Sequence, residues 1–199
     1  MKLYISTGSP FARKCRIMVH EKGLTGRVEA QTVDFPYKAD QEFLLANPIG
    51  QVPALIADDG EPLFNSPVIC AYLDSVGEGD RLLPPEGPDH WRVRRTESLA
   101  DGLMEMTVKQ VLEGRRPDAQ RNAEWTGYWQ QGQRLALDQL EARAIQPEPF
   151  DLGALALGVA LTYLDFRMPD FDWRAGRPWL AALQGKLEKR ESFRATFPK

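Results

Sequence analysis

The stretch Leu3-Tyr4-Ile5-Ser6-Thr7-Gly8-Ser9-Pro10-Phe11-Ala12-Arg13-Lys14-Cys15-Arg16-Ile17-Met18-Val19-His20-Glu21-Lys22-Gly23 reads as a strand, a tight turn and a helix with marked ends. Leu3 to Ser6 is a compact apolar run stopped by turn-forming residues, as a short buried strand requires. Ser9 stands where its side-chain oxygen can accept an unpaired first-turn amide, and Pro10 suits the first helical position because its missing N–H costs nothing there. Phe11, Cys15, Met18 and Val19 then recur on one face, and Gly23 ends the helix. A strand feeding directly into a capped helix is the opening of a mixed sheet-and-helix layer.

Outward from that unit, Val28 to Val33 is a second strand candidate, Ala54 to Ala57 a third, and Pro62 to Asn65 a fourth. The last two are joined by Asp58-Asp59-Gly60 and so predict a hairpin. A short helix is expected between Ala39 and Ala46. Ser66-Pro67 repeats the cap-and-proline grammar before Val68, Ile69, Tyr72 and Leu73, with Gly77 as terminator. Breakers crowd the segment from Gly77 to Pro88, which predicts a boundary: residues 1–77 as one domain, 78–88 as linker and 89–199 as an all-helical domain. Within the latter, helices are expected from about Asp89 to Gly114, Gln120 to Ala144, Leu152 to Arg167, Pro178 to Leu183 and Leu187 to Phe193. Leu152 to Leu164 is nearly free of charge, so that helix is expected to be buried, with Asp151 as its cap and Phe150 set to pack on Leu155.

Composition narrows the chemistry. The chain has 199 residues, 43% of them hydrophobic, enough for a real core. A formal net charge of -3 offers no attraction to phosphate backbones or anionic lipid, so neither nucleic acid nor a membrane is an expected partner. Arg92, Arg94 and Arg95, and Arg115 with Arg116, are expected on solvated or paired helix faces. No run approaches a membrane span or a signal h-region, which points to the cytoplasm. Two cysteines, Cys15 and Cys70, and two histidines supply neither a disulfide framework nor a metal set, and both thiols are expected in the core.

Three ordered motifs carry a resemblance. They are Ser9-Pro10-Phe11-Ala12-Arg13-Lys14, Asn47-Pro48-Ile49-Gly50-Gln51-Val52-Pro53-Ala54-Leu55, and Asn65-Ser66-Pro67-Val68-Ile69-Cys70-Ala71-Tyr72-Leu73. With the tail Arg190-Glu191-Ser192-Phe193-Arg194-Ala195-Thr196-Phe197-Pro198, the chain resembles the glutathione S-transferase superfamily, serine type. Arg92-Val93-Arg94-Arg95 and Ala100-Asp101-Gly102 resemble the bacterial YibF-like group. The resemblance implies an α+β two-domain fold: an N-terminal thioredoxin-like βαβαββα domain followed by an all-α helical bundle domain. It also implies glutathione as co-substrate, no metal, a homodimer, and a small hydrophobic electrophile as the second substrate.

Glutathione reacts as its thiolate, whereas a free thiol near pKa 8.5 is mostly protonated at neutral pH. A hydroxyl at a helix N-terminus suits that anion, so on position alone Ser9 is either a plain N-cap or a thiolate donor. The resemblance implies the second role, Ser9 acting as activator and not as nucleophile. It further implies glutathione contacts at Phe11, Gln51, Val52, Pro53, Asn65 and Ser66, with a cis bond before Pro53 turning the Val52 backbone toward the tripeptide. Ser66 would cap its helix and face the γ-glutamyl carboxylate. Asn65 replaces a frequent acidic residue and Gln51 a frequent lysine, which weakens two ionic contacts. Asp101 is a candidate contact to glutathione on a partner subunit. Met104, Val108, Val111 and Arg115 are candidates for the acceptor pocket, although such a row also suits a core. The expected reaction is conjugation to the electrophile or peroxide reduction. The alternatives are a noncatalytic glutathione-binding or protein-interaction module, and a glutathione-dependent isomerase or dehalogenase.

Overall fold

A computed structural model describes residues 1–33, 41–146 and 148–198. Its chain forms two compact units, Met1–Leu83 with Arg190–Lys199, and Pro84–Lys189. In the first, β1 (Lys2–Ile5), α1 (Pro10–Glu21), β2 (Glu29–Thr32), α2 (Gln41–Ala46), β3 (Ala54–Ile56), β4 (Pro62–Leu63) and α3 (Ser66–Val76) follow the expected βαβαββα order. The start of the expected helix at Ala39 lies outside the described residues. The sheet order is β2-β1-β3-β4. β1 runs parallel to β2, Lys2 opposite Glu29, and antiparallel to β3, Tyr4 opposite Ala54. β4 pairs antiparallel with β3, Leu55 opposite Leu63.

Side chains on α1, α3 and the sheet fill the core of this unit. Leu3, Tyr4, Leu55, Cys15, Ile17, Met18, Ile69, Cys70 and Leu73 are all buried. Tyr4 is inaccessible and packs on Phe43 with ring centroids 5.4 Å apart. Its place on a central strand, flanked by β2 and β3, leaves it no route to solvent. The two thiols are buried as expected, their sulfurs 3.9 Å apart across α1 and α3. Gly23 takes φ +64, the left-handed turn that lets the chain leave α1 without a Cβ clash.

The two compact units meet at other residues than the expected boundaries, at both ends of the helical region. Residues 78–83 belong to the first unit because two charges buried there hold them. Asp74 accepts the amides of Leu82 and Leu83 at 2.9 and 3.0 Å. Lys22 lies 3.3 Å from Asp74 and donates to the carbonyls of Gly79 and Asp80 at 3.3 and 2.8 Å. All three ammonium donors are thus used, which is what makes a fully buried lysine tolerable. At the other end the last helix belongs with α1, for reasons given below.

The second unit contains α4 (Pro88–Gly114), α5 (Ala123–Arg143), α6 (Leu152–Arg167) and α7 (Pro178–Leu187), with a 3-10 turn at Asp118–Gln120. α7 runs on to Leu187, so the helix expected from Leu187 is instead the short α8 (Glu191–Ala195) of the first unit. α6 is buried from Leu152 to Leu164, as its lack of charge predicts. Asp151 caps it, Oδ1 accepting the Ala154 amide at 2.8 Å, and also takes Arg92 of α4 at 3.0 Å. A Cβ on Gly153 would stand 3.0 Å from Thr96 and 3.1 Å from the Val93 carbonyl, so glycine permits the close approach of α4 and α6. Trp173 is buried and bonds Asp165 at 2.8 Å, whereas Trp91 and Trp125 are exposed and not core. No described helix is long and apolar enough to cross a membrane.

Candidate functional site

Strand register alone brings the three sequence motifs to one end of the sheet. The C-terminal end of β1 lies opposite the N-terminal end of β3, Tyr4 beside Ala54, and β4 leaves β3 at that same end, Leu63 beside Leu55. The segments just beyond these pairs are Ser6 to Ser9, Gln51 to Pro53, and Phe64 to Ser66. They are far apart in sequence and adjacent only because two of the three strand pairs are antiparallel.

Ser9 is the N-cap of α1, its backbone extended at φ -85, ψ 124, and it is half-buried. Its Oγ accepts the Ala12 amide at 3.3 Å and its carbonyl accepts the Arg13 amide at 3.0 Å. Pro10 has no N–H, so the Phe11 amide is the first-turn donor outside these bonds. A hydroxyl offers one proton beside its two lone pairs. Capping uses a lone pair and leaves the proton, so the cap and donor roles that sequence could not separate are compatible in one side chain.

The Val52–Pro53 bond is cis, as the motif implied, and Pro53 is buried while Gln51 is exposed. Val52 rests on the buried cluster of Tyr4, Phe43, Ala46 and Ala54. Asn47, buried at the end of α2, holds the approach to this bond. Its Nδ2 donates to the Gln51 carbonyl at 2.6 Å and its Oδ1 accepts the Ile49 amide at 3.1 Å. Sequence reading named Asn47 within a motif without giving it this role, although asparagine ahead of Pro48 and Gly50 is a turn signal that would have served.

Ser66 corrects an expectation. It is the first residue of α3 and not its cap; Asn65 holds the cap position, exposed and with no side-chain capping bond. Two cap-forming residues stand side by side here, and proline at the second helical position tolerates either start. Ser66 is 1% exposed, and its Oγ has no hydrogen-bond partner among the described residues. A buried hydroxyl without a partner is costly, so its position at an open helix terminus fits an oxygen-rich ligand.

The remaining candidates lie in the second unit. Met104, Val108, Val111 and Arg115 share one face of α4 by spacing; Met104 is fully buried, Val108 and Val111 are half-buried, and Arg115 is exposed at the helix end. Asp101 is half-buried on the same helix. Among the described residues no group of three His, Cys, Asp or Glu side chains is arranged to hold a metal ion.

Comparison with known proteins finds relatives of the whole chain. Residues 8–76 match the model of the glutathione S-transferase N-terminal domain, and residues 110–183 that of the C-terminal domain. An uncharacterised GST-like protein of Escherichia coli K12, YibF, is 35% identical over 202 residues, covering 100% of this chain and 98% of its own. Among solved structures, a glutathione transferase family member from Pseudomonas fluorescens Pf-5 with bound glutathione superposes with a TM-score of 0.93 at 35% identity, covering 100% of this chain and 98% of that one. A structure of a family member from the same strain with bound S-(propanoic acid)-glutathione gives 0.92 at 36% identity and 100% coverage of both chains.

Proposed function

The chain belongs to the glutathione S-transferase family, and we propose that it binds glutathione, holds the thiol as a thiolate with Ser9, and conjugates it to a small hydrophobic electrophile. The observation that carries this is the buried Ser66 hydroxyl at the start of α3, without a hydrogen-bond partner among the described residues and at the same end of the sheet as Ser9 and the cis Val52–Pro53 bond. Three segments there offer what an extended tripeptide with a terminal carboxylate and a central thiol needs. Ser66 and the start of α3 take the carboxylate, the Val52 backbone pairs with the cysteinyl unit, and Ser9 donates to sulfur.

The thiol loses its proton to solvent on binding, and the resulting thiolate attacks the electrophilic carbon as the leaving group departs. A hydroxyl bond to charged sulfur is worth about 1.5 to 3 kcal/mol, about one to two units of thiol pKa. Asn65 and Gln51 carry no charge, so affinity rests on hydrogen bonds more than on ion pairs. The relative with bound S-(propanoic acid)-glutathione supports conjugation over peroxide reduction. A homodimer belongs to the same reading: Leu45 and Ile49, 81% and 65% exposed, are apolar side chains for a partner to cover.

Calorimetric titration with glutathione, paired with conjugation rates toward an aryl halide, tests the proposal. Binding and turnover that falls at least tenfold in Ser9→Ala are expected. Binding with no turnover toward any electrophile would leave a glutathione-binding module instead of an enzyme.

A further inference from the structure

The chain's last residues return to the first unit and close on α1, the helix whose first turn presents Ser9. At its far end, Arg190 grips Glu21 with Nε and Nη2 at 3.0 and 2.8 Å from the two carboxylate oxygens, and the Ser192 hydroxyl donates to the same carboxylate. Nearer Ser9, Arg13 donates from Nη2 to the Phe193 carbonyl at 3.2 Å, across 180 positions of sequence. Its guanidinium carbon stands 5.4 Å from the Phe193 ring centroid and 5.6 Å from that of Phe197. Phe193 and Thr196 are buried, and Arg13 is only 2% exposed.

Arg13 sits one turn after Ser9 on the same face of α1, and its amide bonds the Ser9 carbonyl at 3.0 Å. The Ser9 cap bond is long, 3.3 Å, so the first turn is closed weakly by its own cap. The C-terminal segment adds a hold on that turn from outside, through Arg13. An anion-stabilising donor works only when held to about half an ångström.

We propose that Arg13, Phe193 and Phe197 form a brace that positions Ser9, so that the chain's C-terminal segment sets how well the hydroxyl meets the sulfur of glutathione. This rests on the glutathione reading above. Arg13 is a positioning residue here; it acts through the helix turn and not by touching sulfur.

The test is the ultraviolet titration of the thiolate of protein-bound glutathione, on the full chain, for Ser9→Ala, Arg13→Gln, Arg13→Lys and Phe197→Ala. Phe197 is 53% exposed, so its truncation leaves the fold intact and keeps the test open should an Arg13 variant fail to fold. Arg13→Gln and Phe197→Ala are expected to raise the thiol midpoint by roughly half to one unit. Conjugation near neutral pH should then fall about three- to tenfold and recover in alkali. Arg13→Lys keeps the charge but cannot span a carbonyl and two rings, so it should stay shifted. A wild-type midpoint in Arg13→Gln and Phe197→Ala, with Ser9→Ala shifted, overturns the brace and leaves the Ser9 reading standing. An unshifted midpoint in Ser9→Ala overturns both.

Discussion

Replacing Ser66 by alanine should move stability and ligand affinity in opposite directions. The hydroxyl is 1% exposed and has no hydrogen-bond partner among the described residues, so its removal takes away a desolvated polar group and leaves the methylene packed. Without glutathione the variant should match the parent or gain up to about 1 kcal/mol, since an unsatisfied buried group costs about 1 to 3 kcal/mol. With glutathione it loses a hydrogen bond to a charged carboxylate, about 1.5 to 3 kcal/mol. At 1.4 kcal/mol per tenfold, that is roughly a ten- to hundredfold rise in Kd. Urea denaturation without ligand and calorimetric titration with glutathione read the two effects separately. A variant that loses more than about 1 kcal/mol of stability and binds glutathione as the parent does would refute the reasoning, because the hydroxyl would then be structural.

Asp74→Ala strands the buried ammonium of Lys22 and two backbone amides, and should cost about 3 to 5 kcal/mol, a fall in Tm of roughly 6 to 20 °C. Adding Lys22→Met should return part of that loss; simple additivity in the double-mutant cycle would deny the pairing. Burial pushes the Glu21 carboxyl up, but hydrogen bonds from Arg190 and Ser192 outweigh it and hold the group below its ordinary value. Its contribution to stability is therefore present above the unfolded carboxyl range near 4.5 and lost as pH falls through the lower folded value, so Glu21→Gln should lower stability near pH 7, approach the parent in acid and so flatten the acid limb of a pH–stability curve. A Cβ on Gly77 would stand 2.5 Å from Lys22 Cβ and 2.9 Å from its carbonyl oxygen, whereas on Gly132 it meets the Met106 sulfur at 2.6 Å. Chemical denaturation should show Gly77→Ala destabilised by about 1 to 3 kcal/mol and Gly132→Ala far less, since a methionine side chain can swing aside and the Lys22 backbone cannot.

Legibility followed the range of the interaction. Ser9, Pro10 and Gly23 mark the ends of α1 because caps, first-turn prolines and left-handed glycines act within a few residues. The β3–β4 hairpin is visible in Asp58-Asp59-Gly60, and the burial of α6 in its charge-free run, for the same reason. Family motifs extended that reach to Val52 and Pro53. Where two local signals competed, as at Asn65 and Ser66, the helix start slipped by one residue. Nothing in the local pattern says that Lys22 and Asp74 are buried, since each looks like a surface charge until a partner 52 positions away is brought to it.

Residue order is enough to specify which segments become strands and helices, which of their faces are apolar, and that hydroxyls stand at or beside the starts of two helices. Those outcomes depend on backbone torsions and on side chains a turn or two apart. Bringing Ser9, Val52 and Ser66 to one end of the sheet, leaving the Ser66 oxygen without a partner among the described residues, and returning Phe193 to Arg13 depend on strand register and core packing. Such long-range pairings emerge from burying apolar surface across the whole unit, and no short window of residues contains them.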